Sequence, residues 1–471
     1  MKAHLRYRRS ISFLIAALLC WFPLSFKSKA HALSIEDEWK MGQAFFLQIR
    51  NQAELVSDPF AVKYINDLGH YLLMPLETRP FPFQFYIISD NTLNAFAGPG
   101  GHIFFYAGLI ETMDRVDELA AIMCHEIGHI AARHLSKRID QSKNIGIGTM
   151  AGILAGLLVG GPLAAALITG ALAAGMQAQY HFSRNDERQS DQLSHKYIKP
   201  STFDPKAMIT ALQKIQRGSW LGTGKTPEYL LTHPTGPERM SNLESLSSND
   251  VQGILSKEAF YFTALFPAFK TIVMAICKEP DDAEKQFLNT LKNDPEAWLP
   301  QLGLGIVFMR ENKYPEAISA LKKARKKQPE FLPILRTLGE AYLMDGQQKK
   351  ALRVLKTALE LDHGDKAALF LTGTLYEEQG KTGKALRIFK KLSYLKPVRN
   401  NVYYHLGVCY GRENQLALAH YNFGIYFKNS GQFQKAMFHF EKAKRMASEN
   451  AALLEKIRKE TEGVEEMKDQ T

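Results

Sequence analysis

Residues Met123–His134 read MCHEIGHIAARH, with His125 and His129 four apart and Glu126 beside the first. On a helix, positions i and i+4 share a face, so the two imidazoles can meet one metal ion while Glu126 is offset toward its open side. The chemistry this suggests is metal-assisted hydrolysis. A zinc ion needs a third protein ligand and an open position for water, and Glu126 would act as general base, taking a proton from that water as it attacks a peptide carbonyl.

The motif alone leaves the third ligand open. An extended single-helix site would need glycine at position 132 and histidine at position 135, where the chain has Ala132 and Leu135. His134 is five residues past His129, which on a continuous helix turns it away from the metal face. His102 and His181 have no supporting residue at helical spacing. Glu187 begins a helix-like run in YHFSRNDERQSDQLSHKY, and Asp191, four residues on, shares its face and is suited to hydrogen-bond a ligand or reacting group. Glu187 is therefore the expected third ligand, which gives a gluzincin arrangement of two histidines and a glutamate from a second helix.

These residues need elements to hold them. The pattern predicts two helices between residues 33 and 80, the first capped by Ser34. FPFQFYII and HIFFYAGLI read as strands on either side of the turn-rich NAFAGPGG. The strand HIFFYAGLI, preceded by Asn94 and Ala95, is the expected edge for an extended substrate backbone. DRVDELAAIMCHEIGHIAARHL reads as one helix, acidic at its start and basic at its end. From Ile145 to Ala178 no residue is charged, and Gly160, Gly161 and Pro162 divide the run in two. Both readings of this hairpin at 145–178 stay open: burial over the catalytic helix, or dipping into a membrane.

The C-terminal half repeats with a period of 34 residues: Gly305, Gly339, Gly373 and Gly407 share one phase, and Ala317, Ala351, Ala385 and Ala419 share another. This is the tetratricopeptide pattern, in which small residues let paired helices touch. Gly424, Ala436 and Ala443 restore the same internal spacing early. That predicts one helix serving two overlapping units, followed by a polar capping helix to about residue 465.

Length and composition bound the rest. A chain of 471 residues suggests two or three domains, and 45% hydrophobic with 23% charged residues is ordinary for a globular protein. Basic residues from Lys2 to Arg9, an apolar run and SKAHA form the layout of a secretory signal, with cleavage expected after Ala32. Beyond the signal, Cys124, Cys277 and Cys409 are widely spaced and imply no disulfide framework. The net charge of +11 includes the basic leader, and the remaining Lys and Arg are scattered, as solvated helix faces require. Contact with an anionic membrane surface or partner is compatible with that charge; a nucleic-acid partner is not expected.

NAFAGPGGHIFFYAGLI, HEIGHIAARH, FSRNDERQSD and LTHPTGPER follow the order seen in the HtpX/BepA-like zinc metallopeptidases, which the chain resembles over nearly its whole mature length. With a secretory signal and repeat tail, it is similar to the periplasmic BepA subgroup. The resemblance implies one Zn2+ per chain held by His125, His129 and Glu187, with Glu126 as catalytic base and Asp191 at the position usually assigned as proton donor. It implies that His233 is a removable fourth zinc ligand that keeps the enzyme latent. Arg239 could stabilise an oxyanion or pair with Glu238 or another acid. The chain departs from the family's ExxAD in having Ser190 before Asp191.

The expected fold is α+β: a mostly helical gluzincin domain with a small β-sheet at 33–255, then an all-α tetratricopeptide solenoid at 256–465. The expected activity is zinc-dependent endopeptidase action in envelope protein quality control, including outer-membrane protein assembly. The repeats would recruit unfolded or misassembled proteins or envelope assembly machinery, in the periplasm and in association with the membrane. The rival reading is a non-proteolytic or latent scaffold with chaperone-like handling by the repeats.

Overall fold

The computed structural model describes residues 33–139, 150–152, 154, 156, 182–221, 226–251, 253–447 and 449–468. The signal expected at 1–32, His181 and most of the apolar hairpin lie outside them. Of the hairpin's described residues, Met150, Ala151 and Leu154 are buried in one cluster with Phe45, Phe96 and Phe104.

Helix α1 (Ile35–Gln52) starts on Ser34, whose hydroxyl accepts from the Asp37 amide at 3.0 Å. Helix α2 (Pro59–Leu72) starts on Asp58, with proline at its first position. A three-stranded sheet follows, in the order β1 (Gln84–Ile88), β3 (His102–Tyr106), β2 (Ala95–Ala97). β1 runs parallel to β3, with Gln84 opposite His102, and β2 runs antiparallel to it, with Ala95 opposite Phe105.

This order corrects the edge expectation. HIFFY is the central strand, and from Ala107 the chain turns into helix α3 (Ala107–Thr112). β1 and β2 form the two edges, and β2 begins directly after Asn94. Three residues, Ala-Phe-Ala, are too few to show an alternating pattern, and all three are buried. The strand exists because Gly100 and Gly101, at φ 71° and 90°, reverse the chain and bring it back along β3.

Helix α4 (Val116–Ala131) carries the histidine pair. Its acidic first turn is anchored: Glu118 accepts from Lys214 at 2.7 Å and from Thr210 at 3.0 Å, both on α7 (Ala207–Leu221). The helix does not run through His134 as the pattern predicts. Arg133 adopts the left-handed conformation, φ 52°, and α5 (His134–Ile139) starts afresh. A long-range contact makes this break: the Arg133 guanidinium reaches buried Glu38 on α1 at 2.7 and 3.0 Å.

Helix α6 (Arg184–Ile198) lies across α4. The close approach occurs at Gly128, where an added Cβ would fall 2.8 Å from the Ser190 hydroxyl. Ser190 donates to the His125 carbonyl at 2.6 Å, and Ser194 to the Ala121 carbonyl at 3.1 Å. Short helices α8 (Glu228–Thr232) and α9 (Pro237–Leu246) close this side.

Helix α10 (Lys257–Cys277) is long and apolar enough to cross a membrane by length and composition, but half of its apolar window is buried in the protein. It packs on α2, where Tyr64 stacks on Phe269 at 4.3 Å and donates to the Phe262 carbonyl at 2.8 Å. Helix α11 (Pro280–Asn293) follows, then the pairs α12 (Trp298–Arg310) and α13 (Tyr314–Lys327), α14 (Leu332–Met344) and α15 (Gln348–Leu361), and α16 (Lys366–Glu378) and α17 (Thr382–Tyr394). Next come α18 (Asn401–Arg412), α19 (Leu416–Asn429), α20 (Phe433–Met446) and α21 (Ala451–Lys468).

The phase-locked glycines lie where paired helices meet. A Cβ at Gly305 would fall 2.4 Å from Leu321, and one at Gly424 the same distance from Phe440. Helix α19 packs on both α18 and α20, so it serves two overlapping units. The fold is thus a mostly helical unit with a small sheet, joined to a tetratricopeptide array. Phe331, which caps the start of α14, makes edge contacts at 5.4 Å with both Phe60 of α2 and Trp298 of α12, joining the two parts through one core.

Candidate metal centre

His125 and His129 rise from one face of α4 with their Nε2 atoms 3.0 Å apart. Glu187, on the first turns of α6, brings its carboxylate to 3.4 Å from each of those nitrogens. His233, which caps α8, completes the group: its Nδ1 lies 3.0 Å from Glu187 Oε1 and 3.4 Å from His125 Nε2. One donor atom from each of the four residues falls within 4.8 Å of the others, and all four are buried.

The donor set fits a metal ion. Three imidazoles converge on a carboxylate in a dry pocket, where without a cation their lone pairs would face one another. Among the described residues, His233 Nε2 and both carboxylate oxygens of Glu126 are buried without a hydrogen-bond partner, and Glu126 Oε1 is 3.5 Å from that nitrogen.

Charge is balanced from α9. Arg239, buried, makes two 2.9 Å hydrogen bonds to Asp191 and reaches Glu187 Oε2 at 2.5 Å. Its partners are these two acids rather than Glu238, which pairs with Arg188 at 3.0 Å. Asp191 also lies 3.0 Å from His125 Nδ1, the ring nitrogen facing away from the donor cluster. Asp191 thus backs the first histidine. Beside it, a cleft of about 590 Å³ between α6 and α9 is walled by Pro234, Thr235 and Arg239.

Burial and neighbours pull the titrations apart. Burial alone would discharge His125, but Glu187 and Asp191 outweigh it and raise its pKa to about 9. Burial lowers His129 well below the usual imidazole value, and the charges of His125 and His233 add to that effect. Burial pushes the Glu126 carboxyl up. Glu187 is held well down, because His233 and Arg239 overcome the penalty of its burial.

Asn94 and Ala95 lie at the start of β2, which packs on α4, and Asn94 is fully buried. His102 is outside the cluster, on β3, stacked against Phe46 at 5.3 Å. Two participants were missed from sequence. Tyr229 stacks on His233 at 4.6 Å and buries a hydroxyl that has no hydrogen-bond partner among the described residues. His134, excluded as a ligand, nevertheless touches one: its Nδ1 is 3.0 Å from His129 Nδ1. A periodicity argument could not find this contact, because it depends on the left-handed Arg133.

Two histidines and a glutamate presented by crossed helices, with a glutamate beside the first histidine, define the gluzincin class of metallopeptidase site. Residues 63–247 match peptidase family M48, and tetratricopeptide repeats match at 279–331, 308–369, 367–394 and 417–450, so a stretch similar to M48 peptidases precedes a repeat array. It is 30% identical over 309 residues to the beta-barrel assembly-enhancing protease of Yersinia pestis, and 29% identical over 313 residues to that of Escherichia coli K12. Each match covers 64% of this chain and 62% of the relative. The mitochondrial metalloendopeptidase OMA1 of Schizosaccharomyces pombe is 24% identical over 227 residues, covering 48% of this chain and 65% of that protein.

Proposed function

We propose that this protein is an exported, zinc-dependent endopeptidase that acts on unfolded or misassembled β-barrel proteins of the bacterial outer membrane. The observation that carries the reading is buried Glu126, whose two oxygens have no hydrogen-bond partner among the described residues, beside four converging donor atoms. His125, His129 and Glu187 would hold one zinc ion, for which an imidazole and carboxylate set is well suited. When bound, the metal supplies Lewis acidity toward the scissile carbonyl and toward water.

The protein's own groups do the rest. Glu126 removes the proton from the attacking water and delivers it to the leaving amine, and burial raises its basicity for that task. Asp191 orients His125 through Nδ1, and this geometry favours an orienting role over proton donation. Arg239 neutralises Glu187 and Asp191, and an oxyanion contact would require it to leave them. Asn94 and Ala95, at the edge strand, would align an extended substrate backbone.

His233 is the fourth donor of a latent resting state. Its nearness to Glu187 and Glu126 supports a role in filling the position that water needs. The repeats would recruit substrate or assembly machinery along their concave face. The relatives' name, beta-barrel assembly-enhancing protease, supports the substrate class, and the basic leader ending in SKAHA supports export to the periplasm with membrane association. The residues at 1–32 would be the signal, with the peptidase domain at 33–255 and the repeats at 256–465.

The test is Glu126→Gln in the mature full-length chain, whose N-terminus at Leu33 would itself mark export. The variant should retain zinc and lose cleavage of an unfolded outer-membrane β-barrel protein. Equal chelator-sensitive cleavage by variant and wild type would overturn the catalytic assignment. Absence of cleavage by wild type and by His233→Ala, with cellular activity intact in Glu126→Gln, would favour a non-proteolytic scaffold.

A further inference from the structure

His134 stands in a relay that begins at a metal-site histidine and ends on α6. Its Nδ1 is 3.0 Å from His129 Nδ1, and its Nε2 is 2.9 Å from Gln189 Oε1. An imidazole pair joined nitrogen to nitrogen has one proton between the two rings, so one must donate and the other accept. Which way it runs decides whether His129 offers its Nε2 lone pair to the donor cluster or blocks it with a proton.

The surroundings of His134 Nε2 set the direction. Gln189 presents a carbonyl oxygen, which only accepts. Asp186 adds a carboxylate oxygen at 3.8 Å from the same nitrogen. Asp186 is itself fixed: it accepts from the Ser183 amide at 3.0 Å in a capping box at the start of α6, and Arg138 of α5 pairs with it. Two acceptors at Nε2 favour a proton there. A neutral His134 then has a bare Nδ1, which accepts from Nδ1–H of His129 and leaves His129 Nε2 unprotonated, 3.0 Å from His125 Nε2.

We infer that His134 is a positioning residue that locks His129 in its metal-binding tautomer by accepting its Nδ1 proton, with Gln189 and Asp186 holding His134 in the matching tautomer. Helix α6 would thus control both histidines from behind, His125 through Asp191 and His129 through His134, while contributing Glu187 itself. Phe182 packs on the His129 ring at 3.9 Å and leaves the imidazole little room to rotate. The inference rests on the metal-centre reading only in its consequence, because the tautomer exists without the metal.

The experiment uses the full mature chain, labelled with 15N at histidine and stripped of metal, with His129 assigned by comparison with His129→Gln. Nitrogen spectra should show His129 protonated at Nδ1 in the wild type. His134→Phe keeps a ring and removes the acceptor, and it should shift His129 toward the Nε2–H form. His134→Asn places Oδ1 near the lost Nδ1 and should restore the wild-type pattern.

Zinc affinity, measured by chelator competition on Glu126→Gln proteins, should fall about 10- to 100-fold in His134→Phe and stay within about 3-fold in His134→Asn. Gln189→Leu should resemble His134→Phe. A wild-type His129 protonated at Nε2, or a folded His134→Phe that leaves both tautomer and zinc affinity unchanged, overturns the inference. If wild type shows the Nδ1–H form but takes up no zinc, the metal-centre reading fails and the relay stands.

Discussion

The crossing of α4 and α6 and the stack from α12 to α20 are both helix-on-helix interfaces, yet they bury opposite chemistry. Between α4 and α6 lie two histidines, Glu187, Asp191 and two serines, with Arg239 and His233 closing over them. Between the paired helices of the array lie alanine, leucine and phenylalanine against glycine. The first interface is held by directional contacts, several of them shared among Arg239, Glu187, Asp191 and the histidines, so losing one group leaves others buried and unpaired. The second is held by shape, and each contact concerns only the next helix.

Arg239→Ala should have the largest effect. It removes the buried guanidinium shared by Glu187 and Asp191, and breaking such a pair from one side costs about 3–5 kcal/mol. The loss should appear as a lower denaturation midpoint in the metal-free protein and be partly recovered by zinc, because a cation at the centre replaces part of the missing charge. Equal losses with and without zinc would show that Arg239 acts by packing alone, and the contrast between the interfaces would weaken.

Gly339→Val probes the other interface. A Cβ there falls 2.6 Å from Leu355, so overpacking should cost about 1–3 kcal/mol. Repeat contacts are local, so zinc affinity should stay at the wild-type value in the native range of denaturant. A coupled loss of zinc would mean that the core shared through Phe331 transmits strain from the array to the site.

The same locality explains what the sequence could reveal. Gly305 meets Leu321, and Gly424 meets Phe440, each sixteen residues on, so a repeating period exposed the array and even its early restart at α19. His125, Glu126 and His129 were legible because one helix sets their geometry. Glu187 could be singled out only because Asp191 shares its helical face.

What stayed hidden depends on contacts distant in the chain. Arg133 turns left-handed because Glu38 holds it, and that turn sends His134 back to His129. Ala95–Ala97 becomes a sheet edge because β1 and β2 occupy opposite sides of β3, an arrangement that the apolar run HIFFY does not disclose. Tyr229 reaches the site by stacking on His233, and no spacing rule connects its hydroxyl with Glu126.

Ser190→Ala should have the smallest effect, and it is the sharpest probe of the α4–α6 contact. The change restores the small apolar residue of the family's ExxAD pattern and removes a hydroxyl that donates to the His125 carbonyl at 2.6 Å. That carbonyl lies within α4 and keeps its helical partner, so no buried acceptor is orphaned, and the net cost should be about 0.5–1.5 kcal/mol. Zinc affinity should therefore hold while the denaturation midpoint drops slightly. A tenfold loss of zinc without a larger loss of stability would give Ser190 a different role, holding the His125 backbone in register with Glu187 as the third partner that α6 supplies to the first histidine.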